Sequence, residues 1–73
     1  MPIPERVKIL ERMKGLIDGV DKSHSWYNRA YLFIKDFEQR LLQITNEIFY
    51  QLLRQWEEIL ACAPREIKKN WVL

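Results

Sequence analysis

The sequence predicts an all-α protein: a helical hairpin with one long central helix and a short C-terminal helix, assembling with a second copy into a four-helix-bundle-like dimer. Residues 23–62 contain no glycine or proline. Apolar residues return along them at spacings of three and four, which lines up one face of a helix. The connector before them, residues 19–25, is short enough to make the preceding helix an antiparallel neighbour.

Helix 1 is expected at about residues 4–18. Pro4 suits a first helical turn, where a missing N–H costs nothing, and Glu5 places negative charge at the positive end of the dipole. Ile3, Leu10 and Ile17, with Met13 and Val20, recur at heptad seam positions, and Val7 widens the stripe. Arg6, Lys8, Glu11, Arg12 and Lys14 take the remaining positions. Gly15 lowers helix propensity by about 1 kcal/mol relative to alanine. Gly19 reads as a helix stop, because glycine enters the left-handed conformation without strain. An amphipathic basic helix also fits a membrane surface, but packing against helix 2 is the stronger reading. Asp21, Ser23 and Ser25 are each able to cap the next helix.

Helix 2 is expected at about residues 23–62. Ala30, Ile34, Phe37, Leu41, Ile44 and Ile48 alternate steps of four and three, a heptad seam. The stripe then shifts to Leu52, Trp56, Ile59 and Leu60 through a four-residue step that resembles a stutter. Leu42, Phe49, Leu53 and Leu60 form a second row. At 1.5 Å per residue such a helix is about 60 Å long, whereas helix 1 reaches only ~22 Å and the C-terminal helix ~12 Å. Each large apolar side chain left wet forgoes roughly 1.5–3 kcal/mol, so another chain is expected to cover the second half. The alternative is a compact monomeric three-helix bundle with a break near Thr45–Asn46. Against it, Ile48 and Phe49 stand where a capping box needs Glu or Gln, and the heptad phase runs straight through.

Pro64 ends helix 2, since the residue before proline is pushed out of helical conformation. A short helix at about 64–71 follows, with Ile67, Trp71 and Val72 on one face and Arg65, Lys68 and Lys69 outward.

Composition bounds the function. The 73 residues make a single domain, 1–73, at 48% hydrophobic and 30% charged, too apolar for a disordered chain. No apolar run approaches the roughly 18 residues of a membrane span. The start of the chain lacks the apolar core of a signal peptide, so the cytoplasm is the expected compartment. The single Cys62 fits a reducing environment. Net charge is only +2, where duplex DNA binders concentrate basic residues on one face.

No catalytic constellation stands out. His24 and Cys62 fall at opposite ends of the expected long helix, where each dipole end disfavours the ionised form that nucleophilic catalysis needs. One histidine and one cysteine cannot close a zinc shell, and no cofactor motif is present. The expected role is a non-enzymatic protein–protein interaction module, an adaptor, small regulator or chaperone-like subunit, working as a homodimer. Its candidate interface is Leu52, Leu53, Trp56, Ile59 and Leu60, then Trp26 and Tyr31, tryptophan and tyrosine being common binding anchors. Aromatics at helical spacing are more often core. The alternative is a nucleic-acid-binding regulator that uses Arg65, Lys68, Lys69 and Trp71, against which a solvated helix face is the plainer account. Tyr50, on the polar strip, has no packing reason to be there.

Overall fold

The computed structural model describes residues 2–71. These form four helices: α1 Ile3–Asp18, α2 Ser25–Arg40, α3 Asn46–Ala61 and α4 Arg65–Asn70. Among the described residues no strand occurs, as an all-α reading requires.

The expected long helix is two helices. A break at residues 41–45 folds α3 back along α2, and the longest dimension of the molecule is 32 Å. A rod of about 60 Å cannot fit in that length. Trp26 Nε1 donates to the Ile59 carbonyl at 2.7 Å, and the rings of Phe37 and Phe49 sit 5.8 Å apart. Rising numbers on α2 thus meet falling numbers on α3. Helix α1 runs antiparallel to α2 in the same way: Lys14 meets Glu38, and Arg6 reaches the carbonyl of Leu41.

Two groups hold the break. Thr45 Oγ1 accepts the Ile48 backbone N–H at 3.3 Å, a cap formed without the reciprocal partner of a capping box. Arg6 does more. It lies at 6% exposure, and its Nη1 donates to the carbonyls of Leu41 and Ile44, both at 2.9 Å. Its Nη2 donates to Asn46 Oδ1 at 2.7 Å, and its guanidinium stands 5.1 Å from the centre of the Phe49 ring. Carbonyls released at the end of α2 therefore find a cation, which also suits the negative end of that helix dipole. The placing of Arg6 off the apolar stripe is corrected: it sits one heptad before Met13, in the same buried seam.

The fold-back also removes the shielding problem. Phe49, Leu52, Trp56, Ile59 and Leu60 pack into one core with Ile9, Leu10, Met13, Leu16 and Ile17 of α1 and Trp26, Ala30, Ile34 and Phe37 of α2. Trp56, fully buried, has Phe33 at 5.8 Å, Trp26 at 6.4 Å and Trp71 at 5.5 Å between ring centres. The second half of the expected rod is covered by the first half and by α1.

Smaller expectations change too. Gly19 ends α1 at φ −89°, so it uses no left-handed conformation. The cap of α2 is His24, whose Nδ1 accepts the Trp26 N–H at 3.1 Å. Asp21 instead closes a turn, accepting from both the backbone and the hydroxyl of Ser23. Helix α4 is shorter than expected and buries no residue fully, while Ile67 and Trp71 lean on the core. Val72 lies outside the described residues.

Candidate interaction surface

The residues expected at an interface are placed differently from one another. Leu52, Trp56, Ile59, Leu60 and Trp26 are buried in the chain's own core, and Leu53 is half-buried against it. Only Tyr31, at 38%, belongs to the exposed surface. Covering of α3 from within the chain is the reason, since its seam meets α1 and α2 and not solvent.

The exposed apolar surface lies mainly on the other side, on α1 and α2. Leu32 is 58% exposed and Leu42 64%, and Ile3 and Val7 of α1 are exposed as well. At 100° per residue, with the helical backbone carried through Leu41, Tyr27, Tyr31, Leu32, Lys35 and Leu42 fall within an arc of about 140°. The rings of Tyr27 and Tyr31 stack at 6.0 Å and 15° between planes, and Lys35 Nζ sits 5.7 Å from the centre of the Tyr31 ring. Beside them Lys14 pairs with Glu38 across the α1–α2 seam. That hydrogen bond holds the Lys14 ammonium above its ordinary pKa. A cleft of about 290 Å³ opens there, lined by Lys14, Ile17, Tyr27, Tyr31 and Glu38 among others. The surface thus combines exposed aromatic and aliphatic side chains with charges of both signs.

Sequence reasoning missed Leu32 and misassigned Leu42. Leu32 falls off both apolar rows of the expected helix, and a large apolar residue with no packing row is itself the signal. Leu42 was read into the second row, but the turn of the backbone through Leu41 puts it about 100° from that residue, outside the arc that Trp26, Ala30, Ile34, Phe37 and Leu41 bury. Tyr50 is 49% exposed, edge-on to Phe49, in keeping with its place on the polar strip.

A wider groove of about 760 Å³ separates α1 from α4, lined by Arg12, Gly15, Leu16, Gly19, Glu66 and Trp71 among others. Arg65, Lys68 and Lys69 are exposed on α4, but Trp71 is half-buried with its ring edge-on to Trp56.

His24 and Cys62 do not sit at opposite ends of one helix. The fold-back puts the start of α2 beside the end of α3, through the bond from Trp26 to Ile59. His24 Nδ1 is taken by the Trp26 N–H, and Cys62 is an exposed C-cap residue. Among the described residues no three His, Cys, Asp or Glu side chains gather as a metal shell, and no helix is long and apolar enough to cross a membrane. Comparison with protein-family models, with curated proteins and with solved structures finds no match to this chain.

Proposed function

We propose that the chain is a small non-enzymatic protein–protein interaction module, an adaptor or regulatory subunit, that takes its protein partner on the outer face of α1 and α2. The observation that carries this reading is the pair Leu32 and Leu42, each more than half exposed while the apolar seams of α2 and α3 are closed into a core. Large apolar side chains held in solvent beside aromatic rings are a common character of contact surfaces. Tyr31 is the one residue kept from the interface expected from sequence.

The test is site-specific photo-crosslinking in the cell. A benzophenone side chain at position 32 or 42 should trap one discrete protein, and the same group at the exposed polar position 58 should not. Leu32→Glu or Leu42→Glu should remove the adduct when the probe sits at the other of the two positions, with helicity unchanged. Identical adduct patterns at 32, 42 and 58 would sink the reading. Under the nucleic-acid alternative, oligonucleotide affinity would instead fall steeply with salt and vanish on Lys68→Glu with Lys69→Glu.

A further inference from the structure

We infer that two copies of this chain exchange α3 and α4 by straightening the break at residues 41–45, giving a swapped dimer in which α2 and α3 form one continuous helix. The inference does not rest on the α1–α2 contact face, of which Tyr27, Tyr31 and Leu32 lie within α2, before the connector that straightens.

The connector is unusual for a turn between antiparallel helices. Residues 41–45, Leu-Leu-Gln-Ile-Thr, contain no glycine or proline, and no described residue has positive φ. Leu41 is still helical at φ −50°, ψ −43°, and the Gln43 N–H bonds back to the Arg40 carbonyl at 3.0 Å. Thr45 is extended, at φ −72°, ψ 164°. Its φ already suits a helix, so rotation about ψ is the main change that Thr45 itself requires. The seam Ala30, Ile34, Phe37, Leu41, Ile44, Ile48 keeps its steps of four and three across the connector, so a straight helix from Ser25 to Ala61 presents one unbroken stripe.

The two states compete for the same acceptors. In the folded-back chain Arg6 donates to the carbonyls of Leu41 and Ile44. In a continuous helix those carbonyls accept from the N–H groups four residues on, at Thr45 and Ile48. The Ile48 N–H is now held by Thr45 Oγ1. Arg6 and Thr45 are thus the groups that favour the break, and removing either shifts the balance toward the straight helix. Contacts of α3 with α1 and α2, including Trp26 to Ile59 and the packing of Leu52, Trp56 and Leu60, are then remade from the second copy, which is why exchange of identical elements costs little. The partner is a second copy because only it supplies the same core.

The mass in solution and one intrachain distance test this. Arg6→Ala should raise the association constant at least tenfold over the parent by sedimentation equilibrium at micromolar concentration. Thr45→Ala, which leaves Arg6 in place, should move it the same way and serves if the first variant does not fold. Adding Asn46→Pro to either variant should return it to a monomer. Proline is tolerated at the first position of α3 after an extended Thr45 but not inside a continuous helix. Spin labels at Arg29→Cys and Glu58→Cys in a Cys62→Ser background, diluted with unlabelled chain, should lie about 44 Å apart in the dimer, from 1.5 Å per residue. A dimer that keeps the short separation of the folded-back chain is surface association and overturns the exchange. So does a monomer in both single variants, or a dimer that survives Asn46→Pro.

Discussion

Arg6 is the residue on which the path of the chain turns. A guanidinium with little exposure and no ion pair among the described residues is tolerable only because three acceptors at hydrogen-bond distance replace water. Replacing it with methionine keeps the packing over Phe49 but leaves those acceptors without their donor. Arg6→Met should therefore cost about 2–3 kcal/mol, read as a lowered urea midpoint. Trp26 is a second such case. Trp26→Phe keeps most of the ring but removes the donor to the Ile59 carbonyl, and should cost about 1 kcal/mol for the bond plus a loss from poorer packing. Asp21 gives a pH dependence. The backbone N–H and then the hydroxyl of Ser23 hold its carboxyl below the ordinary 3.8. A lowered folded-state value means that the charged form favours the fold. Its contribution is full above pH 3.8 and is lost as pH falls through the lower value. Asp21→Asn should flatten stability over that acid range, whereas an unchanged pH profile would mean that the turn does not stabilise the charged form.

At the scale of elements, the ends of α1 were legible, and the joint between α2 and α3 was legible only as the alternative break near Thr45–Asn46, which is where the chain turns. Helix α1 begins and ends within a residue of its expected bounds, because proline at its start and glycine at its end act locally. The continuous helix stood ahead of it because the heptad rhythm continues through the joint and no glycine or proline marks it. One seam position did carry a warning: Arg6 stands where the rhythm calls for an apolar residue, one heptad before Met13. A cation there needs acceptors, and the nearest source is the broken end of another helix. Gly15 is the element-scale opportunity. It lies inside α1 facing the α1–α4 groove, its φ is not positive, and a Cβ there would meet nothing within 4 Å. Gly15→Ala should raise stability by about 0.5–1 kcal/mol through helix propensity alone, visible as a higher melting temperature. A loss of stability would mean that the groove is closer than it stands.

For the whole molecule, the decisive quantity is how much of one small core depends on each large side chain. Trp56 is fully enclosed and touches aromatic rings from α2 and from the segment after α4. Truncating such a residue costs about 3–5 kcal/mol, against roughly 5–15 kcal/mol for an entire domain. Trp56→Ala should therefore abolish a cooperative melt by circular dichroism. The contact face behaves oppositely: Leu42→Glu removes no core residue and should leave the melt within about 0.5 kcal/mol of the parent.

By itself the sequence determined the all-α class, the ends of α1, the shift out of helix at Pro64 and the buried seam from Ala30 to Leu41. Those follow from local propensity, capping and period, each settled within a turn or two of chain. Only tertiary structure decided that the rows close on themselves, that Leu32 and Leu42 face outward, and that Arg6 is buried. A helix and a helix broken in the middle present nearly the same stripe to a local reading. What separates them is a hydrogen-bonding partner 35 residues away in sequence, and a contact of that range exists only once the chain has folded.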